Sequence, residues 1–335
     1  MRLIEKIWFK SHKAKWIIVP ILLPLTILFA AISAVRRLCY KVGLFASYRI
    51  EKPVVIIGNI GVGGNGKTPL VLLLIDMCKA MGLTPGVISR GYGGKAAEYP
   101  YLLNPLSTTI ETGDEPYLIY QRSKVLVAVG ADRIASAKLL VEQGCDIILA
   151  DDGLQHYRLQ RDLEIIVVDG KRLFGNGLLL PAGPLRESVG RLTTADVVIS
   201  NGGQSQQLTA NNMSMQLVAT HLCHITTGEK LSVSSFIENN SSVNAIAGIG
   251  SPERFFNTLT DLNFTLASHK GFVDHHHFEA DDFDCFDKEF PLVMTEKDAV
   301  KCQGFAKDNW WYLPVDAVIS PKERAQLTEK ISQLI

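Results

Sequence analysis

The sequence predicts an α/β fold with a mostly parallel sheet, a second and smaller α/β domain, and an N-terminal membrane-associated helix. Three observations predict this organisation. A glycine-rich loop follows a strand-like run near residue 60, apolar runs alternate with helical patterns along most of the chain, and a long apolar segment begins at Trp16. Alternating strands and helices are typical of a parallel sheet that is covered by helices.

The N-terminal segment, residues 1–52, is predicted to associate with a membrane. The chain is almost entirely apolar from Trp16 to Val35, and about 20 such residues can cross a bilayer. Basic residues flank this run on both sides, and both flanks favour the cytosol. A single crossing cannot satisfy both, so we expect a helix, kinked at Pro20 and Pro24, that lies in the cytosolic leaflet. The run lacks an A-x-A-like cleavage site, which argues against a signal peptide.

The predicted core, residues 53–205, begins with a strand over 54–57 and a complete phosphate-binding loop. The loop consists of Gly61, Val62, Gly63, Gly64, Asn65, Gly66, Lys67 and Thr68. In such a loop the backbone N–H groups turn toward the phosphates, the lysine reaches the β- and γ-phosphates, and the hydroxyl binds Mg²⁺. The loop predicts a P-loop NTPase-like core with ATP and Mg²⁺ as cofactors.

A dinucleotide-binding turn is the first alternative, because Gly61, Gly63 and Gly66 also satisfy a G-x-G-x-x-G pattern. That fold needs an acidic residue about 20 positions further on. The next strand-like run, residues 85–89, is instead followed by an arginine. A dinucleotide fold has no use for a lysine and a hydroxyl at positions 67 and 68, so the pattern favours a magnesium-bound triphosphate.

The other elements follow in chain order. Helices are predicted over 67–81 and 133–143, and strands over 85–89, 126–129, 146–150, 163–168 and 196–200. A stretch rich in Gly, Gln, Ser and Asn over 201–212 predicts a connection. A strand over 244–249 and a helix over 253–262 then start the second domain, residues 206–335.

Acidic and histidine clusters supply candidate chemistry. Asp151 and Asp152 end a buried strand at the sheet edge where ligands bind in open α/β folds, and one of them is expected to support Mg²⁺; the alternative is two turn acids that cap the next helix. Asp114 and Glu115 begin a helix, where capping alone could explain them. Consecutive histidines at 275–277 point in different directions, so we expect one proton relay held by a carboxylate rather than a metal site; surface histidines without a role are the alternative.

The glycine-rich segment 89–94, which contains Arg90 and Tyr92, suits a mobile loop over a phosphate or an acceptor, although it could be an ordinary turn.

The composition of the chain limits its possible partners. The chain has 335 residues with 34 basic and 34 acidic side chains, so global charge gives no argument for nucleic acid. Six cysteines lack any C-x-x-C spacing, which favours reduced thiols in a cytosolic setting.

These motifs together resemble the tetraacyldisaccharide 4'-kinase family, the lipid A 4'-kinases, over nearly the whole chain. The resemblance rests on the joint order of the apolar helix and the segments 58–69, 89–93, 113–116, 151–156, 183–187, 274–275 and 295–298. Leu154 departs from the family pattern, in which a phenylalanine is common at that position.

The resemblance implies ATP-dependent phosphorylation of the 4'-hydroxyl of tetraacyldisaccharide 1-phosphate, which gives lipid IVA in lipid A biosynthesis. The implied partners are this acylated disaccharide lipid and the membrane surface, with no nucleic acid. The implied location is the cytosolic face of a Gram-negative inner membrane, in peripheral or monotopic form. A membrane-associated P-loop NTPase acting as a regulatory switch and a scaffold with a vestigial loop are the alternatives.

By the same resemblance, Asp114 is the catalytic base with His275 as its partner, and Lys67 neutralises charge on the transferred phosphoryl group. Thr68, Glu115 and Asp152 serve the metal. The candidate substrate contacts are Arg90, Tyr92, Arg133, Asp151, Gln155, His156 and Arg186.

Overall fold

The computed structural model describes residues 3–10, 12–203, 208–209 and 211–335. The described helices are α1 Leu3–Phe9, α2 Lys15–Lys41, α3 Lys67–Ala80, α4 Thr109–Thr112, α5 Asp114–Ser123, α6 Arg133–Glu142, α7 Val233–Asn239, α8 Pro252–Asp261, α9 Glu296–Cys302 and α10 Pro321–Ser332. Short 3₁₀ helices cover Val189–Thr194 and Ala280–Phe283.

The described strands are β1 Val54–Gly58, β2 Pro85–Ser89, β3 Tyr101–Leu102, β4 Leu126–Val129, β5 Ile147–Asp151, β6 Leu163–Asp169, β7 Val197–Asn201, β8 Asn212–Val218, β9 His221–His224, β10 Lys230–Ser232, β11 Ser242–Ala247, β12 Thr265–Gly271, β13 Leu292–Thr295, β14 Trp310–Leu313 and β15 Asp316–Ile319. The strands and helices predicted between residues 54 and 262 are confirmed, with ends that differ by at most two residues, whereas the N-terminal helix α2 continues to Lys41, beyond the apolar run that ends at Val35. This agreement follows from continuous apolar runs, which are typical of strands buried on both faces.

The first sheet has the order β15-β8-β7-β6-β1-β5-β2-β4-β3. The pairs from β8 to β4 are parallel, and only the edge strands β3 and β15 pair antiparallel. Strand β1 lies between β5 and β6, and Ile57 is in register with Asp151. The phosphate-binding loop and the acidic pair therefore leave the sheet side by side at the same edge, as predicted.

The second sheet has the order β10-β9-β14-β13-β11-β12 and is built from residues 221–313. Its core contains Phe236, Phe256 and Trp311 on one face and Phe278, Phe283 and Trp310 on the other. The α/β class of both units is thus as predicted.

The two sheets do not divide the chain at residues 205 and 206. That predicted boundary itself lies outside the described residues. Strands β8 and β15 belong to the first sheet, and Leu327 and Ile331 of α10 pack into its core. The chain therefore enters the second unit after β8 and returns after β14. Sequence pattern could not predict this return, because an edge strand has the same apolar alternation whichever sheet it joins.

Helix α2 lies against the first unit and continues through Pro20 and Pro24. It is long and apolar enough to cross a membrane by length and composition, yet Thr26 near its middle is buried. The Thr26 hydroxyl accepts a hydrogen bond from the backbone N–H of Ala182 at 3.0 Å. The Trp8 indole N–H in α1 donates to the Pro181 carbonyl at 3.1 Å. Both N-terminal helices are thus docked on the segment around residues 179–182.

Candidate active site

The phosphate-binding loop has the backbone form that its glycines predict. Gly66 has φ 93°, in the left-handed region, and a side chain there would lie 2.5 Å from Nδ2 of Asn201. The same Asn201 amide, at the end of β7, donates to the Asn65 carbonyl at 3.0 Å. Only glycine satisfies both requirements at position 66, and the loop is braced from the neighbouring strand.

Lys67 begins α3 and points at the acidic pair after β5. Its Nζ lies 3.5 Å from Oδ1 of Asp152, and Arg186 Nη1 lies 3.1 Å from Oδ2 of the same carboxylate. Burial acts to raise the pKa of Asp152, but the charges of Lys67 and Arg186 outweigh it and hold that pKa below its ordinary value. Asp152 is thus an ionised acid between two cations.

Asp151 differs from its neighbour because it is buried and both its carboxyl oxygens lack a hydrogen-bond partner. Burial and the nearby charge of Glu115 raise the pKa of Asp151 to about 7. Arg133, itself buried, donates to the Asp151 carbonyl at 3.2 Å. Asp151 does not line the cleft, so the predicted contact between its side chain and the substrate does not fit this geometry.

The residues predicted to serve the metal belong to the same cleft. Thr68, Glu115 and Asp152 all line it. Mg²⁺ prefers oxygen ligands and is usually held by one or two carboxylates together with substrate phosphates. The described residues contain no group of three His, Cys, Asp or Glu side chains that could hold a metal by themselves. One hydroxyl, two carboxylates and the unpartnered acid beneath them therefore fit a magnesium ion that a nucleotide helps to bind.

The loop after β2 approaches the start of α5. Gly113 precedes α5 with φ 83°, and a side chain there would meet the Tyr92 carbonyl at 2.5 Å. This close approach places the Tyr92 ring 5.2 Å from the His275 ring, centroid to centroid. The predicted flexible segment is thus packed beside the predicted proton relay.

Asp114 and His275 form the predicted pair across the two units. Their Oδ2 and Nδ1 atoms are 3.2 Å apart. Burial acts to raise the pKa of Asp114, but the hydrogen bond with His275 and the charges of Lys301 and Lys297 hold it below its ordinary value. His275 lines the cleft, whereas Asp114 does not. The carboxylate is therefore ionised, and His275 is the outer member of the pair.

The other histidines of this cluster have separate partners, as the sequence predicted. His276 Nε2 lies 2.8 Å from Asp282 Oδ2, and His277 Nδ1 lies 3.3 Å from the Phe278 carbonyl. Nothing in this arrangement gathers the three rings around one point.

The second unit also contacts the phosphate-binding loop directly. Arg254 in the first turn of α8 donates to Asp169 Oδ2 at 2.7 Å and to the Gly64 carbonyl at 3.4 Å. Asp169 ends β6 and is buried, and its other oxygen accepts from the backbone N–H groups of Lys171 and Arg172. The loop is therefore held between the two units.

One continuous cleft of about 2370 Å³ joins these groups to the N-terminal helices. Of the predicted substrate contacts, the cleft is lined by Arg90, Tyr92, Arg133, Gln155, His156 and Arg186. Phe29, Ser33, Arg36 and Arg37 of α2 line the same cleft. A ligand in it can touch the phosphate-binding loop at one end and an apolar helix at the other.

Sequence reasoning missed several residues of the site. Glu187 accepts from Gln155 Nε2 at 2.9 Å and from the Tyr157 hydroxyl at 2.6 Å, and it lies 3.6 Å from Arg37 of α2. Lys297 lies 3.1 Å from Glu115. Glu187 and Lys297 both occur in segments that carry the family resemblance, so those segments could have indicated a role for them. No sequence motif indicated a role for Arg254 or Asn201.

The fold and the loop define a P-loop nucleotide-binding protein with a cleft between two α/β units. The chain belongs to the tetraacyldisaccharide-1-P 4'-kinase family, whose model matches residues 18–334. The resemblance drawn from the motifs is thereby confirmed.

Known relatives agree over the whole length. The tetraacyldisaccharide 4'-kinase of Colwellia psychrerythraea is 62% identical over 333 residues, covering 98% of this chain and 97% of that protein. A Vibrio cholerae protein of the same name is 47% identical over 334 residues, covering 99% of this chain and 98% of that protein. The crystal structure of LpxK from Aquifex aeolicus in complex with ATP superposes with a TM-score of 0.78 at 27% identity, covering 95% of this chain and 99% of that one.

Proposed function

We propose that this protein transfers the γ-phosphoryl group of ATP to the 4'-hydroxyl of tetraacyldisaccharide 1-phosphate, a step of lipid A biosynthesis. The single observation that carries the proposal is the continuous cleft between the phosphate-binding loop and α2. A regulatory nucleotide switch has no need for a proton acceptor or an apolar wall beside its triphosphate. The family to which the chain belongs supports the same reaction.

The proposed chemistry is mainly alignment and charge neutralisation. Phosphoryl transfer passes through a loose transition state, so the protein has little covalent work to do. Lys67 is proposed to neutralise charge on the transferred group, with the backbone N–H groups of residues 61–68 around the phosphates. Mg²⁺, proposed to be held by Thr68, Glu115 and Asp152, would supply charge neutralisation at the phosphate oxygens.

Asp114 is proposed to act as the base for the proton of the sugar hydroxyl, with His275 as the partner that tunes or relays that proton. The Asp114 carboxyl is ionised near neutral pH, because its pKa is held below the ordinary value, and the ionised form is the one that can act as a base. His275 is the member of the pair that reaches the cleft. A proton that reaches this pair neutralises the partly buried carboxylate of Asp114.

The lipid headgroup is proposed to occupy the part of the cleft lined by Arg90, Tyr92, Gln155, His156 and Arg186. Arg90 is exposed, whereas Arg186 forms an ion pair with Asp152. Arg133 is buried and bonded to a backbone carbonyl, so its proposed contribution is to shape the cleft floor. The arginines in this set give the positive charge that the 1-phosphate requires.

We further propose that the protein works at the cytosolic face of a Gram-negative inner membrane. Each buried CH₂ of an acyl chain is worth about 0.8 kcal/mol, so a lipid with four chains does not leave the bilayer readily. The enzyme must therefore go to its substrate. Docking of Thr26 in mid-helix on the protein body supports a helix that lies in one leaflet.

The test is an assay with purified protein, labelled ATP and tetraacyldisaccharide 1-phosphate in mixed micelles. Phosphate on the lipid is expected. Free phosphate alone would instead support a switch, and neither product would support a scaffold. Lys67→Ala is expected to reduce transfer at least about 100-fold, because it removes a charge that acts on the transition state. Lys322→Ala, at an exposed position of α10, is the matched control and should leave transfer unchanged.

A further inference from the structure

Two lysines on α9 point across the interface at the start of α5. Lys297 and Lys301 are one helical turn apart, with side chains only 15% and 7% exposed. A lysine is almost never buried unless its ammonium group is paired. We call them the lysine pair; the proposed reaction gives neither of them a role.

Lys297 connects three groups of the site. Its Nζ lies 3.1 Å from Glu115 Oε1, 3.1 Å from Asp274 Oδ1 and 3.4 Å from His275 Nε2. An ammonium group only donates hydrogen bonds, so His275 Nε2 must accept from it. The proton of the neutral ring then resides on Nδ1, which donates to Asp114 at 3.2 Å. Lys297 thereby selects the tautomer that binds the carboxylate.

Lys301 also lies near the Asp114 carboxylate. Its Nζ is 2.8 Å from Asp298 Oδ1 and 3.1 Å from the His276 carbonyl, and it lies 3.9 Å from Asp114 Oδ2. That Asp114 oxygen is the one that accepts from His275. The second lysine therefore compensates the charge that Asp114 carries beneath the cleft.

Hydrogen bonds hold the first turn of α9, the helix that carries the lysine pair. The Thr295 hydroxyl caps α9 by accepting from the Asp298 N–H at 3.2 Å, and it donates to Asp298 Oδ2 at 2.6 Å. The Gly248 N–H, just after β11, donates to the same oxygen at 2.8 Å. The first turn of α9 is thus fixed to the second sheet, and the lysine side chains extend from a fixed point.

The conformation of His275 also depends on its neighbours. Its φ is 61°, in the left-handed region, which is unfavourable for a residue with a side chain. Such a conformation persists only where surrounding contacts over-determine it. Asp114, Lys297 and the Tyr92 ring provide those contacts.

We propose that the lysine pair positions the proton-accepting apparatus: from the second unit, Lys297 and Lys301 hold His275, Asp114 and Glu115 in their working arrangement. The inference rests on the proposed kinase function. Because Asp114 and Glu115 belong to the first unit and both lysines to the second, this arrangement exists only while the two units are in contact. The proton acceptor is therefore complete only while α9 of the second unit contacts α5 of the first.

The first test measures steady-state transfer by Lys297→Met and Lys301→Met. Loss of alignment without loss of binding should lower kcat about 10- to 100-fold, with KM for ATP and for the lipid changed less than about threefold. Lys322→Met is the matched control. Wild-type kcat in both lysine variants would overturn the proposal, whereas absence of transfer by the unmodified protein would instead refute the kinase function.

The second test asks whether Lys297 acts through His275. In a His275→Ala background, Lys297→Met should lower kcat by a clearly smaller factor than in the unmodified protein, because only the contact with Glu115 then remains to be lost. An equal fold-loss in both backgrounds would show an unrelated structural effect and overturn the proposal.

The third test needs no lysine variant and so does not depend on its folding. Long-range ¹H–¹⁵N spectra of the full chain labelled at histidine, with His275→Ala for assignment, report the His275 tautomer. A ring protonated on Nδ1 is expected. A ring that carries its proton on Nε2 would contradict the contact with Lys297.

Discussion

Two residues of the site have a left-handed backbone conformation, which is unfavourable for a residue with a side chain. Asp152 has φ 50° and His275 has φ 61°, each at a cost of roughly 1–2 kcal/mol. Residues in such conformations cluster at functional sites because the surrounding contacts are built to hold them. Asp152 is held by Lys67 and Arg186, and His275 by Asp114 and Lys297. The strain and the charged contacts therefore occur at the same positions.

Replacement of Asp114 by alanine tests the proposed base. We expect kcat for lipid phosphorylation to fall about 10²- to 10⁴-fold, which is the usual contribution of a general base. Binding of ATP, measured by calorimetry, should be nearly unchanged, since Asp114 does not line the cleft. The exposed Asp284→Ala is the control. Full kinase activity in Asp114→Ala would defeat the assignment.

His156 provides a pH-dependent prediction about stability. Burial lowers its pKa from 6.5 to about 4, and its Nε2 is buried without a hydrogen-bond partner. The unfolded chain therefore binds a proton at a pH where the folded protein does not. The stability that the neutral ring contributes is present above pH 6.5 and is lost as the pH falls toward 4.

We therefore expect His156→Gln to reduce the acid sensitivity of folding. Between pH 7 and pH 5 the free energy of unfolding should fall by about 1–2 kcal/mol less in the variant than in the unmodified protein, after allowance for partial exposure. Urea unfolding at both pH values measures this difference. The exposed His269→Gln should behave as the unmodified protein does. Equal acid sensitivity in all three proteins would contradict the buried, neutral ring.

At the scale of elements, α2 has two different faces. Ile17, Ile21, Leu25, Leu28 and Ile32 are exposed, and their spacing places them along one side of the helix. Thr26 is buried against the segment 179–182, so the protein body reaches the middle of the helix. An apolar face this large, on a helix docked along its other side, suits insertion into one leaflet.

Charges on the exposed face should release the protein from membranes. We expect Ile21→Glu with Leu28→Glu to move most of the protein from floated vesicles to the soluble fraction, since a charge in the acyl region costs several kcal/mol. Activity on detergent-dispersed substrate should be largely retained. Ile21→Leu with Leu28→Ile is the matched control. Unchanged flotation of the glutamate variant would show that this face does not bind the bilayer.

The topology of α2 has its own test. A tag at the N-terminus should resist protease added outside intact spheroplasts, because a helix in the cytosolic leaflet leaves both ends inside the cell. Cleavage of the tag from outside would show that the helix spans the membrane.

At the scale of the whole molecule, the two units meet around the phosphate-binding loop. Arg254 connects α8 of the second unit to Asp169 and to the Gly64 carbonyl of the first. Arg122 of α5 forms a second bridge, with its Nη1 atom 2.9 Å from Glu296 Oε2 of α9. Arg122 also contacts Asp316, the first residue of β15, where the chain rejoins the first sheet. These contacts bridge the elements that a closing motion would bring together.

Loss of the Arg254 bridge should weaken nucleotide binding. We expect Arg254→Ala to raise KM for ATP up to about tenfold, since a charge-assisted hydrogen bond is worth about 1.5–3 kcal/mol and this one is partly exposed. KM for the lipid should change little. The exposed Arg324→Ala on α10 is the control. An unchanged KM for ATP would mean that the bridge does not hold the loop.

Local residue patterns were sufficient to predict the phosphate-binding loop, the buried strands beside it and the family to which the chain belongs. These features depend on residues that are neighbours in the chain: the glycines and Lys67 act within one loop, and a continuous apolar run forms a strand wherever it is buried. Only the tertiary structure decided how charges pair across the cleft. Glu115 and Lys297 are 182 positions apart, and local patterns carry no information on contacts at that separation. The return of β15 to the first sheet and the docking of Thr26 were decided in the same way, by packing between distant segments.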